Sequence, residues 1–304
     1  MSHPSQANAA CQAYGEAQKE DHSKYSQEKI KVAKPCYQGL RQFKKGEKSM
    51  KIIVITGASS GLGKEFALQM DDYFSNIEEF WLIARSEDKL KEVAGQLKHK
   101  TRIFPMDLTV DYQLDELEFQ LIKHQAFVCM FIHCAGYGLL GAFESQPRPQ
   151  TLGMIRLNCE ALTNLTHRIL RYMKKGSRIL HLASSAAFVP QSNFAVYAAT
   201  KSYVLSFSRA LREELINKGI IVTAVCPGPV DTPFFEIAEK TGTSLEFKKH
   251  TMVSAKQVVL QALKDSYHKK AVSVCSLPMK AFRLITKLTP HELILKLMSF
   301  SQNL

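Results

Sequence analysis

A membrane-spanning helix needs on the order of 20 consecutive apolar residues, and no stretch of this sequence supplies them. The opening MSHPSQANAACQAYGEAQKED is polar and lacks the apolar core of a secretory signal. The chain is therefore expected to act in the cytoplasm, where the sequon Asn164-Leu165-Thr166 is a chance match. Cysteine is sparse and odd in number, seven residues with no C-x-x-C pair. That pattern excludes a disulfide framework and a zinc site, and fits reduced, buried thiols; no metal is expected. A concentrated basic face is missing too. The net charge is +12, but the lysines and arginines are dispersed and not interleaved with aromatics, so nucleic acid is not an expected partner. What remains is an ordinary globular composition, 45% apolar and 22% charged.

Residues 1–49 are rich in Gln, Lys, Ser and Glu and show no hydrophobic period. They read as a disordered extension, or as sequence ahead of a translation start at Met50. At Met50 the character changes to KIIVITG. From there apolar runs at 51–56, 80–84, 102–106, 127–133, 178–183, 220–226 and 271–276 alternate with helical patterns at 61–72, 87–98, 111–125, 149–174, 195–218 and 254–268. Continuous apolar strands imply a sheet covered on both faces, and strand–helix alternation implies parallel strands with right-handed crossovers. The expectation is α/β: one doubly wound Rossmann-type domain over 50–276, with seven mostly parallel strands, followed by an amphipathic helical tail at 277–304.

TGASSGLG lies between the first strand and the first helix. Gly57 permits a tight turn, Gly61 a close approach of backbone to a pyrophosphate, and Gly63 close packing of helix on sheet. Ser59, Ser60 and Leu62 complete a turn whose free N–H groups, at a positive helix end, face the anion. At the end of the second strand a carboxylate would favour NAD. Here Ala84 takes that place and Arg85 follows, its planar fork suited to a 2′-phosphate. NADP(H) is therefore expected over NAD(H).

Tyr197 and Lys201 stand four apart on a helical stretch, hence on one face. An ammonium beside a phenol is expected to stabilise its anion and lower its pKa, making a general acid/base. The spacing alone means little, since Tyr25 and Lys29 repeat it in the N-terminal extension. Its context adds weight. Ser184 ends the strand just before this helix, where its hydroxyl could polarise a carbonyl. Asn158 sits mid-helix, where asparagine is locally unfavourable.

Together TGASSGLG, HCAG at 133–136, Asn158, Ser184, Tyr197/Lys201 and CPGPVDT at 226–232 resemble, in order and spacing, the short-chain dehydrogenase/reductase family. The resemblance covers about 50–276 and includes the NADP(H)-preferring bacterial branch whose members are described only as general oxidoreductases. It implies that Tyr197 is the acid/base and that Lys201 lowers its pKa and holds the nicotinamide ribose. Ser184 would orient the carbonyl, and Asn158 would hold a water in a proton relay. Asp107 would meet the adenine edge, and Ala135 and Gly136 would lie against the cofactor. Pro227, Gly228 and Thr232 would fix the carboxamide. One departure is Cys134, where the family usually has the asparagine that braces the central strands; the change is expected to bear on stability more than chemistry.

Phe234, Phe235, Ile237 and Phe247, in a lid over 232–250, with Tyr137, Leu139 and Leu140, suggest an apolar substrate pocket. The function expected is hydride transfer between NADP(H) and a small-molecule carbonyl or alcohol, on a hydrophobic ketone or aldehyde. The alternative is a non-catalytic NADP(H)-binding sensor or scaffold. The tail PMKAFRLITKLTPHELILKLMSF suits packing against the body or a partner subunit, and also suits a membrane surface. By the same resemblance the chain pairs through 149–174 and 195–218 into a homodimer or homotetramer.

Overall fold

The computed structural model describes residues 49–238 and 252–302. Most of the expected N-terminal extension lies outside them, as do Phe247 and the Ile237 side chain of the expected lid. The first six strands are β1 (Met50–Thr56), β2 (Glu79–Ala84), β3 (Thr101–Pro105), β4 (Ala126–His133), β5 (Arg178–Leu182) and β6 (Ile221–Val225). Three short ones follow, β7 (Val230–Asp231), β8 (Val253–Ser254) and β9 (Val272–Ser273). Seven of them form one parallel sheet in the order β3-β2-β1-β4-β5-β6-β9. The central strands are buried along nearly their whole length, because helices cover both faces and no side chain can turn to water. On one face lie α1 (Gly61–Tyr73), α2 (Glu87–Ala94) and, after β8, α8 (Ala255–Tyr267). On the other lie α3 (Asp111–Lys123), α5 (Leu162–Ile169) and α6 (Ala195–Leu215). The winding direction reverses between β1 and β4. The crevice beyond the carboxyl ends of these strands is where such sheets bind ligands.

Three features depart from the sequence-based expectation. The run at 271–276 is a strand only at Val272–Ser273, because Ser276 turns out to cap the next helix, its hydroxyl accepting from Met279 N at 3.4 Å. A second, two-stranded parallel sheet joins β7 to β8, with the short α7 (Phe234–Ala238) following β7. The helix expected at 149–174 is interrupted. α4 (Arg148–Ile155) passes through a π-helical turn at Arg156–Ala161 into α5, and π turns recur at functional sites. After β9 come α9 (Leu277–Leu288) and α10 (His291–Gln302). No helix among the described residues is long and apolar enough to cross a membrane.

Candidate active site

β1 ends at Thr56 and the chain turns at once through two left-handed glycines, Gly57 at φ 64° and Gly61 at φ 52°. A side chain at Gly57 would also stand 2.9 Å from Ala135 N, so the turn presses directly on the end of β4. Ser60 precedes α1 in an extended conformation, and its side chain caps nothing. The first N–H groups of α1 thus face the cavity as donors for an anion. Gly63 packs against the Gly57 carbonyl, and a Cβ there would come within 2.6 Å of that carbonyl carbon. Gly63→Ala is therefore expected to destabilise the fold by about 2 kcal/mol, as overpacking does, read as a lower denaturant midpoint at unchanged slope.

Thr56, the first residue of TGASSGLG, ties β1 to β4. Its buried hydroxyl accepts from Ala135 N at 3.1 Å, and its carbonyl accepts from Cys134 N at 3.3 Å. The join is made at the position of the Cys134 departure without an asparagine side chain. The signal was a hydroxyl ending an apolar strand immediately before a glycine turn.

One cavity of about 1320 Å³ runs across these strand ends. The glycine turn from Gly57 to Gly63 forms one wall, with Ser59, Ser60 and Leu62 on it; Arg85 and Asp107 stand at one end. Ala135 and Gly136, then Ser184, Tyr197 and Lys201, line the middle, and Pro227, Gly228 and Thr232 lie beyond them. Asp107 is the only carboxylate among the described lining residues, and its Oδ1 is already held by Thr109 N (2.9 Å) and Thr109 Oγ1 (2.7 Å). Arg85 is exposed and paired with no carboxylate among the described residues. A helix end without a cap, and an unpaired guanidinium with a single, already engaged acid at the same end of the cavity, fit an elongated dinucleotide better than a cationic or neutral ligand. Among the described residues no cluster of His, Cys, Asp and Glu could hold a metal ion.

α6 buries Tyr197, Lys201, Val204, Ser208, Leu211 and Leu215, a spacing of three and four that turns one face to the sheet. Its first turn brings the phenol to Ser184 at the end of β5, and the two hydroxyls share a hydrogen bond. Phe194 stacks on the Tyr197 ring at 4.2 Å and Phe234 lies 5.4 Å away. These contacts fix the plane of the ring. Burial pushes the phenol up to about 12, a rise the Ser184 hydrogen bond tempers. Burial pushes Lys201 down to about 8. The expected lowering of the phenol by the ammonium is therefore corrected for the protein by itself. Desolvation and the Ser184 hydroxyl set the phenol's shift, and the Lys201 ammonium is not among its causes. Lys201 Nζ sits 5.7 Å from the ring centre and donates to Leu182 O at 2.7 Å. Tyr197 is thus a protonated acid at neutral pH.

Asn158 lies in the π turn, and it does not line the cavity. Its Oδ1 accepts from Tyr137 N at 3.1 Å, and its Nδ2 donates to Tyr137 O at 2.9 Å and to Thr200 Oγ1 at 3.0 Å. The amide clasps the loop after β4 and α6 together. Gly136 allows this approach, since a Cβ there would stand 2.8 Å from Asn158 Oδ1 and 3.4 Å from Lys201 Nζ.

Of the expected pocket residues, Tyr137, Leu140, Phe234 and Phe235 line the cavity and Leu139 does not. The remaining wall comes from α9, through Pro278, Met279, Ala281, Phe282 and Ile285. No part in the pocket was expected of the tail. The usable signal was apolar residues on two faces of α9 where a simple surface helix has one.

A family model described as short chain dehydrogenase matches residues 51–242. An uncharacterized oxidoreductase of Staphylococcus epidermidis is 32% identical over 221 residues, covering 72% of this chain and 93% of that one. The very-long-chain 3-oxoacyl-CoA reductase of Rattus norvegicus is 28% identical, with 70% of each chain covered. Among solved structures, a short-chain dehydrogenase from Sphingobium yanoikuyae in complex with NADPH superposes with a TM-score of 0.65 at 26% identity, covering 75% of this chain and 88% of that one.

Proposed function

The chain belongs to the short chain dehydrogenase family, and from that premise we propose that it is a cytoplasmic, NADP(H)-dependent reductase of hydrophobic ketones or aldehydes. The observation that carries the reading is the convergence of the Ser184 hydroxyl and the protonated Tyr197 phenol on one wall of the cavity. A bound nicotinamide would supply the hydride. The chain's own groups do the rest. Ser184 donates a hydrogen bond to the substrate oxygen, and Tyr197 gives that oxygen its proton as charge builds there. Lys201 would hold the nicotinamide ribose, and Asn158 positions the loop and helix on which these groups sit. Arg85 would meet the 2′-phosphate, and the N–H groups of Ser59 to Leu62 would meet the pyrophosphate. The aromatic wall and α9 favour a substrate with a sizeable apolar part, a preference in keeping with the rat relative's very-long-chain acyl substrate. Half-exposed Leu152, Ile155 and Tyr203, on α4 and α6, suit pairing of two or four copies.

Titration with NADPH and with NADH, followed by nicotinamide fluorescence, tests the cofactor assignment. Tight NADPH binding with weak NADH binding is expected; the reverse preference would overturn the role given to Arg85.

The pH dependence has a distinctive sign. Lys201 is held near 8, below the ordinary 10.5, so above about pH 8 the ammonium is lost and turnover is expected to fall. Between about 8 and 10.5 the unfolded chain binds more protons at this group than the folded one. This contribution to stability therefore rises with pH. Turnover falling above pH 8 while the melting temperature does not fall with it is the expected result. A turnover loss that simply tracks unfolding would contradict it.

A further inference from the structure

α9 presents two apolar faces. Met279 and Phe282 turn inward: Met279 packs on Gly228, where a Cβ would meet its Sδ at 2.8 Å, and Phe282 lies 6.4 Å from Phe188. The opposite face carries Leu277, Ala281, Leu284, Ile285 and Leu288, one stripe at spacings of i, i+4, i+7, i+8 and i+11. This stripe is open to solvent, with Leu277 79%, Leu284 59%, Ile285 55% and Leu288 77% exposed. So many large aliphatic side chains on one helix face exceed the scattered exposure normal for a water-facing surface. Lys280 and Lys287 run along one edge of the stripe, exposed and without an ion pair among the described residues. Residues 277–302 hold four Lys or Arg against one acid, Glu292. Along the other edge the stripe merges with the cavity rim, because exposed Pro278, Ala281 and Ile285 also line the cavity.

We propose that α9 seats this protein on an anionic lipid surface, with the rim of the active-site cavity turned toward the lipid. An apolar stripe flanked by cations is the chemistry of an interfacial helix: the leucines enter the acyl boundary and the lysines meet the acidic headgroups. A subunit interface would bury such leucines equally well. It would have no use for an uncompensated row of lysines beside them, which an identical copy would repel. The position of the rim adds a consequence, that ketones or aldehydes dissolved in the bilayer reach Tyr197 without crossing water. That consequence rests on the reductase reading; the docking does not.

The test is co-sedimentation of the full chain with vesicles of phosphatidylglycerol and phosphatidylcholine, and with phosphatidylcholine alone. Lys280→Glu/Lys287→Glu and Leu284→Gln/Leu288→Gln serve as variants. None of these four residues lines the cavity, so NADPH binding by each variant should match the parent and report an intact fold. Sedimentation with the anionic vesicles is expected, weak with the neutral ones. Each removed cation should weaken vesicle affinity about fivefold, so the charge reversal should lower it by an order of magnitude or more. Failure to sediment with any vesicle would overturn the proposal, as would equal binding to neutral vesicles. A concentration-dependent oligomer that the leucine variant dissociates, without vesicle binding, would make the stripe a subunit contact instead. Vesicle binding and NADPH quenching are separate readings, so loss of one leaves the other standing.

Discussion

Tyr197→Phe is expected to cut ketone turnover by about 10³ while leaving NADPH affinity within a factor of about two, since a positioned general acid supplies roughly 10²–10⁴ in rate. The substitution removes one oxygen from a ring whose setting is otherwise apolar. Phe194 stacks on that ring and Phe234 lies against it, so phenylalanine fits without a cavity. What disappears is the proton donor and its hydrogen bond with Ser184. Melting temperature should stay nearly constant, because burying the phenol brought no net gain that phenylalanine lacks. Single-turnover absorbance decay of NADPH checks the rate, and fluorescence titration checks the affinity. Substantial turnover in the variant would mean that another group donates the proton.

Arg85→Ala is expected to weaken NADPH binding by roughly 10- to 100-fold and leave NADH binding nearly unchanged. A charge-assisted, bidentate contact contributes about 1.5–3 kcal/mol, and about 1.4 kcal/mol is a factor of ten. The selectivity follows from the surroundings. Arg85 stands at the end of β2 beside Ala84, where no carboxylate competes for it, and Asp107 at the same end of the cavity is engaged by Thr109. Lys89 also lines this end and retains some attraction for the phosphate, which is why the loss is bounded. Equal losses for both cofactors would place Arg85 against the pyrophosphate or in the scaffold of the turn.

The sheet was readable because its central strands are buried on both faces and so appear as unbroken apolar runs, KIIVIT and AFVCMFIH among them. The glycine turn was readable because Gly57 and Gly61 adopt backbone angles that other residues resist. Tyr197, Lys201 and Ser184 all line the one cavity. Four things were hidden. The π turn at Arg156–Ala161 has no sequence period of its own, and its one cue, a mid-helix asparagine, does not reveal the clasp on Tyr137 and Thr200. The balance of pKa shifts depends on burial, which no motif reports and which pushes the Tyr197 phenol up. The inward face of α9 depended on where the tail folds back, a long-range contact that local patterning does not encode. The two-stranded sheet of β7 and β8 is similar, since such short strands are too brief to carry a period.

The proposed reaction is hydride transfer to a hydrophobic carbonyl with the proton drawn from Tyr197. The most direct measurement mixes the protein with NADPH and a panel of long-chain and bulky ketones and aldehydes, and follows nicotinamide absorbance alongside the alcohol formed. Stoichiometric alcohol formation is expected with NADPH, much slower formation with NADH, and almost none with Tyr197→Phe. NADPH bound tightly yet never oxidised by any carbonyl across the panel would contradict it, and would instead describe a protein that holds its cofactor as a sensor or scaffold.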